Sequence, residues 1–302
     1  MSAPPETTVV LQCEGIGDCL FAIPVLRKLR GRLPPGERIA LYTHHVSLFA
    51  TCPYVDSAAH IAAASGRSFA RLVVLFDLSK LPHWLVDTVD FISIPAGLGQ
   101  LSFREKQLEY FPREEDRAER FDVVLNTSMT WPSRSWPIAS WQRLADRILS
   151  LGYSVAVVGK DVVSGADRME KKSLPLAGCT DLTNRLSLDQ TYFTIARAGL
   201  FVSCQNGLSV LSGATDTEVV VLDMSIEWSK RAIYRREDPH YKVSYVKGGC
   251  DIYCCQSHEC TTYGEFRCIP TAERVIEVVE GRLAALRRAP GGAAQAADQP
   301  AS

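Results

Sequence analysis

The stretch Thr7-Thr8-Val9-Val10-Leu11-Gln12-Cys13-Glu14-Gly15-Ile16-Gly17-Asp18 decides the fold. Its first five residues are β-branched or apolar and predict a buried strand. Beyond Asp18, residues Leu20, Ile23, Leu26 and Leu29 recur at helical spacing. A strand therefore turns through two glycines into a helix, with an acid at the helix start. Glycine lets a backbone approach a ligand closely, and a helix N-terminus offers free N–H groups and a positive dipole end. Asp18 reads either as a functional acid or as an N-cap. One strand–Gly-x-Gly–helix unit is common to many nucleotide-binding folds, so the remainder of the chain has to choose among them.

The rest of the chain alternates in the same way. Strands are predicted at Ile39–Thr43, Leu72–Phe76, Phe121–Leu125, Ser154–Gly159, Leu200–Ser203 and Val219–Asp223. A short buried segment is predicted at Ala58–Ala62, after a turn at Pro53–Asp56. Helices are predicted at Val46–Ala50, His83–Phe91, Trp141–Leu151, Thr191–Ala198, Gly207–Gly213 and Thr271–Arg288. Strands alternating with helices imply a parallel α/β sheet. At 302 residues the chain has room for about two such domains. The charge-rich run between Arg104 and Arg120 reads as a solvated linker. The expected division is residues 1–118, 119–270, a C-terminal helix at 271–288 and a disordered Ala/Gly/Pro/Gln-rich tail at 289–302.

Composition narrows the function. Hydrophobic content of 46% and charged content of 22% suit a soluble globular protein. A net charge of −1 offers no global attraction to nucleic acid or to an anionic membrane, so at most peripheral membrane contact is expected. The first eight residues lack a basic segment followed by an apolar run, and no apolar stretch reaches the roughly 20 residues that span a bilayer. A cytoplasmic location is expected, where the ten cysteines are thiols or metal ligands rather than disulfides.

Two loops of the second half carry the remaining signals. Thr130-Trp131-Pro132-Ser133-Arg134-Ser135-Trp136-Pro137 follows a predicted strand and joins hydroxyls to one guanidinium, a donor set that suits phosphate oxygens. Taken alone, Arg134 reads equally as a surface arginine on a proline-stiffened loop. Ser203-Cys204-Gln205-Asn206-Gly207-Leu208-Ser209 is a second strand-to-helix turn, either anion-binding or an ordinary turn at Asn-Gly. An acid on one domain and phosphate-binding groups on the other, at strand C-terminal ends, suit group transfer from a diphosphate.

These segments together resemble the heptosyltransferase-like enzymes of glycosyltransferase family 9. Gly15-Ile16-Gly17-Asp18 with Ile23-Pro24-Val25-Leu26-Arg27 is similar to that family's opening motif. Cys52-Pro53-Tyr54-Val55-Asp56 is similar to its Asn-Pro-Tyr-Val-Asp turn. Arg134-Ser135-Trp136-Pro137, Trp141 and Leu144-Ala145 match its Lys-x-Trp-Pro, Trp and Leu-Ala. Ala196-Arg197-Ala198 through Gly207-Leu208-Ser209 and the segment ending Arg267-Cys268-Ile269 complete the match, which runs from about Val9 to Leu283. The resemblance implies a GT-B fold, two Rossmann-like domains facing across a cleft. It also implies inverting transfer of a sugar, ADP-heptose being the favoured donor, to a hydroxyl acceptor. It places Asp18 as the catalytic base. It places Gly15, Gly17, Thr130, Ser133, Arg134, Gln205, Asn206, Gly207 and Leu208 around the donor and its phosphates, and Leu186 in the base pocket. Arg134 stands where the family has lysine. Where the family has Asp-[Ser/Thr]-Gly-x-x-His, this chain has Gln205, Asn206, Gly207 and Val210, so the family's acid and histidine are missing. That departure supports an alternative, a non-catalytic nucleotide-sugar-binding protein of the same fold. A dinucleotide-dependent dehydrogenase is disfavoured, since the third glycine is absent and Asp18 would meet the pyrophosphate.

Five cysteines crowd the segment Cys250-x3-Cys254-Cys255-x4-Cys260-x7-Cys268. Thiols in that number suffice for a tetrahedral metal, although the spacing is not that of paired Cys-x2-Cys knuckles. Relatives that modify proteins hold iron through cysteines, so the resemblance adds a structural zinc or iron here as one of two readings. Without it, the five are reduced core thiols. No cofactor is expected for the transfer itself.

Overall fold

The computed structural model describes residues 5–76, 86–129, 131–163, 170–236, 238, 240–252, 255 and 257–288. The opening stretch folds as read: β1 (Glu6–Leu11) enters α1 (Ile16–Arg30) through Gly15. There follow β2 (Arg38–Thr43), α2 (Val46–Phe49), β3 (Ser57–His60), β4 (Leu72–Leu75) and α3 (Thr88–Ser93). β1 to β4 form a parallel sheet in the order β3-β2-β1-β4. α1 is apolar nearly all round, with every residue from Cys19 to Leu26 buried, which marks an interior helix.

The second sheet contains β5 (Val123–Asn126), β6 (Val155–Val158), β9 (Thr180–Asp181), β10 (Leu200–Cys204), β11 (Glu218–Asp223) and β12 (Val243–Lys247). A small hairpin, β7 (Val162–Val163) with β8 (Glu170–Lys171), stands apart. The order β12-β11-β10-β5-β6-β9, all parallel, is the strand order of dinucleotide-binding sheets. Helices α4 (Ile138–Ser150), α5 (Leu188–Arg197), α6 (Gly207–Ser212) and α7 (Ala272–Arg288) cover it. On one face, α4 buries Trp141, Leu144, Ala145 and Ile148 beside α7's Val275, Val279 and Leu283. On the other, the apolar cluster is shared: Phe201, Val210, Leu211, Ile233 and Tyr234 pack with Leu11, Phe21, Ile23 and Leu26 of the first unit.

Several expectations change. Ala58–Ala62 is not buried: β3 lies at a sheet edge and runs into a 3-10 turn, Ile61–Ala64, with no buried residue. β4 is the opposite edge, and Leu72 is half exposed. The helix predicted from His83 begins at Thr88, because Asp87 accepts from the Val89 and Asp90 amides and caps it. His83–Leu85, Asp77 and the 289–302 tail lie outside the described residues. The charged run is not uniformly solvated either. Lys106 is buried, 2.5 Å from Asp87 and 2.6 Å from Asp90, the pairing that a buried ammonium requires. No described helix is long and apolar enough to cross a membrane.

Among the described residues, Trp136 and Trp141 are the largest fully buried side chains, with Trp136 edge-on to Trp141 at 4.9 Å and donating Nε1–H to Pro270 O. Trp141→Ala should cost about 3–5 kcal/mol, read as an earlier urea midpoint at unchanged slope. A loss under 1 kcal/mol would mean that this face of the sheet repacks.

Candidate functional site

In open parallel sheets, ligands bind beyond the strand C-termini where the strand order reverses. The first sheet reverses between β1 and β4, and the second between β5 and β10. β1 leads through Gly15 into the first turn of α1, which holds Asp18, β5 leads towards the 3-10 turn that holds Arg134, and β10 leads into Gln205–Asn206. The two glycine turns meet across the domain junction. A Cβ on Gly17 would lie 3.2 Å from Gly207 Cα, and a Cβ on Gly207 would lie 3.3 Å from the Gly17 amide. A side chain at either position would press on the other's backbone, which glycine avoids.

Asp18 is not a cap. Gly15 is the N-cap of α1 and no side chain caps it. The Asp18 carboxylate instead reaches across the junction, with Oδ1 2.9 Å from Arg231 Nη2. Arg231 was not expected from the sequence. It follows the 3-10 turn Trp228–Lys230, with its guanidinium over the Phe21 ring at 5.3 Å. Arg134 joins the same cluster. Burial, reinforced by the charge of Arg231, lowers its guanidinium to about 10, while Asp18 acts in the opposite direction. Arg134 also donates to Gln205 O and lies over the Trp131 ring at 5.3 Å. The structure thus brings together Asp18 and Arg134, as the sequence suggested, and adds Arg231.

Other expected donor contacts turn inward. Asn206 caps α6, its Oδ1 accepting from the Leu208 and Ser209 amides, while its Nδ2 donates to Asn126 Oδ1 at 2.6 Å. Asn126, fully buried, also accepts from Ser203 Oγ and donates to Val158 O and Ser128 Oγ. It ties three strand ends together at the reversal point, and only its place at the end of a predicted strand hinted at this. Ser133 is buried with its hydroxyl on Ser225. Gln205 is buried and donates to Asp223 Oδ1 at 3.0 Å. These four support the loops rather than present themselves in the crevice. Thr130 lies outside the described residues. Leu186 lines a cavity of about 490 Å³ with Phe121, Leu182, Gln190 and the acidic stretch around Glu114 and Glu115.

The cysteine segment packs on the Arg134 loop. His258 stacks on Trp131 at 4.0 Å, and buried Cys268 lies 3.9 Å from Ser133 O. Burial, with Cys250, Cys255 and Cys260 nearby, raises the Cys268 thiol to about 11. Among the described residues no three His, Cys, Asp or Glu side chains are gathered to hold a metal, and Cys254 lies outside them.

Comparison with known proteins places this geometry. Residues 94–223 match the family model of glycosyltransferase family 9 (heptosyltransferase). Comparison with curated protein sequences gives no match. The iron-containing dodecameric glycosyltransferase TibC from enterotoxigenic Escherichia coli H10407 superposes with a TM-score of 0.71 at 17% identity, over 95% of this chain and 78% of TibC. TibC has also been solved with ADP-D-β-D-heptose. A family 9 glycosyltransferase from Veillonella parvula DSM 2008 gives 0.70 at 13% identity, over 94% and 99%. E. coli ADP-heptose LPS heptosyltransferase II gives 0.58 at 16% identity, over 92% and 99%. The fold is GT-B, and the resemblance to family 9 holds.

Asp223 yields a prediction. It is fully buried at the end of β11, and burial raises its carboxyl to about 7, against the pull of Lys247 Nζ at 3.9 Å. The unfolded chain releases this proton near pH 4, whereas the folded chain keeps it to about pH 7. Its contribution to stability is therefore lost as pH rises through that window. Asp223→Asn should escape the loss, so the stability difference should move in the variant's favour by on the order of 1–3 kcal/mol between pH 4.5 and 7.5. Urea unfolding at several pH values measures it. A pH-independent difference would show that Asp223 is ionised throughout.

Proposed function

We propose that this protein is an inverting glycosyltransferase that moves a sugar, with ADP-heptose the favoured donor, to a hydroxyl of a glycan, lipid-linked glycan, protein or small molecule in the cytoplasm. The observation that carries this reading is that Arg134, which donates to Gln205 O beside Gly207, and Asp18, beside Gly17, are brought together from the two sheets where Gly207 packs on Gly17 at the paired reversal points. A family 9 match over residues 94–223 supports the donor class, and TibC's binding of ADP-D-β-D-heptose supports the donor itself.

The chemistry follows from the groups. Asp18 takes the acceptor's hydroxyl proton as that oxygen attacks the anomeric carbon. The bond from that carbon to the phosphate oxygen breaks, and the nucleoside diphosphate leaves with the electron pair. Arg134 faces the developing negative charge with a guanidinium fork. Gly15, Gly17, Gly207 and Leu208 shape the crevice, and Ser133, Gln205 and Asn206 hold its loops. Leu186 and its cavity are assigned to the nucleobase. No metal takes part in a step.

Two variants test this. Asp18→Asn should still bind ADP but lose about 10²–10⁴-fold in transfer rate. Transfer at the parent rate would remove Asp18 from the mechanism. Arg134→Ala should weaken ADP binding by about 1.5–3 kcal/mol in calorimetry, and unchanged affinity would put the phosphates elsewhere. A parent chain that binds ADP but transfers from no nucleotide sugar in a donor panel would instead favour the non-catalytic alternative.

A further inference from the structure

Where Gly17 meets Gly207, the described residues include the Arg134 and Arg231 guanidiniums and the Asp18 carboxylate. Arg231 and Asp18 are both largely sequestered, with side chains 18% and 21% exposed. Asp18 Oδ1 is buried and accepts no hydrogen bond of normal geometry among the described residues, and its ion-pair contact is with Arg231. Arg134 stands close enough for the two like charges to oppose each other. Arg231 is therefore committed to an oxygen that the proposed transfer needs as a proton acceptor.

We infer that Arg231 is a positioning residue shared between Asp18 and the donor's diphosphate: it ties Asp18 down in the empty cleft and passes to the phosphate oxygens when the donor binds. This rests on the nucleotide-sugar reading above. A diphosphate carries more negative charge than one carboxylate, and attraction at a given distance scales with charge. The guanidinium fork also fits phosphate better than the single oxygen contact it makes on Asp18. The side chain has little travel to make, because its guanidinium already lies against Gly17, 3.2 Å from where a Cβ would stand. Two consequences follow. Asp18 becomes available as a base only in the donor complex, so donor binds before acceptor. Donor affinity carries the cost of drawing Arg231 away from Asp18.

A double-mutant cycle in ADP affinity, measured by calorimetry, tests this without any need for an acceptor. Arg231→Gln should weaken ADP about tenfold or more. Asp18→Asn should tighten ADP severalfold in the parent, because Arg231 is then already released, and less than twofold in the Arg231→Gln background. An equal effect of Asp18→Asn in both backgrounds would reduce it to plain charge repulsion and overturn the inference. So would a variant with a lower melting temperature but parental ADP affinity, which would make Arg231 a strap between domains. If Arg231→Gln fails to fold, Arg231→Lys keeps the charge and loses the fork. Severalfold weaker ADP binding then supports the sharing, and unchanged affinity overturns it. A parent that binds no ADP defeats the nucleotide-sugar reading first and this inference with it, an outcome distinct from the others.

Discussion

Everything at the site depends on two glycines in backbone contact. Gly17 opens α1 and Gly207 opens α6, helices that follow strands of different sheets, and a side chain at either would crowd the other's backbone. That approach sets how near the β1 turn comes to the β10 turn. It fixes the reach between Asp18 and Arg231, and brings Arg134 within the field of both. A methyl group at either position would have to push the turns apart by tenths of an ångström. Ion-pair distances and the line of a proton transfer change over that range.

The parts that were legible in the sequence are those written locally. A β-branched run, two glycines and a helical apolar period specify a strand–turn–helix without help from the rest of the chain, and β1 to α1 folds accordingly. α4 and α7 announce themselves by their apolar stripes. Strands with one wet side were harder. β12 buries only Val243 and Val246 of its five residues, a spacing that fits neither full burial nor strict alternation. Edge strands β3 and β4 carry apolar residues without being interior.

The site divides along the same line. Asp18 and Arg134 sit in turns whose composition is informative. Arg231 sits in a stretch with no distinguishing pattern, and only the return of the chain from β11 toward α1 brings it to the carboxylate. Asn206 and Ser133 were read as ligand contacts because hydroxyls and amides suit phosphate. Yet the same groups suit helix caps and loop ties, and the fold uses them there. Composition names the chemistry a loop can do, whereas burial decides whether it faces inward or outward.

The apolar cluster shared by both sheets bears on the history of the chain as well as its architecture. Phe21 and Leu26 from one half lie in the same cluster as Phe201, Ile233 and Tyr234 from the other, and Leu108 donates its amide to Tyr234 O. Cut between the sheets, each half would expose a face that normally never meets water. The halves are therefore not interchangeable modules. A second-sheet unit transplanted from a relative would arrive with the wrong surface for this partner, and substitutions on one side of the seam must be accommodated by the other. Recombination is constrained here more than point mutation, and a new specificity is reached more readily by changing loops than by exchanging domains.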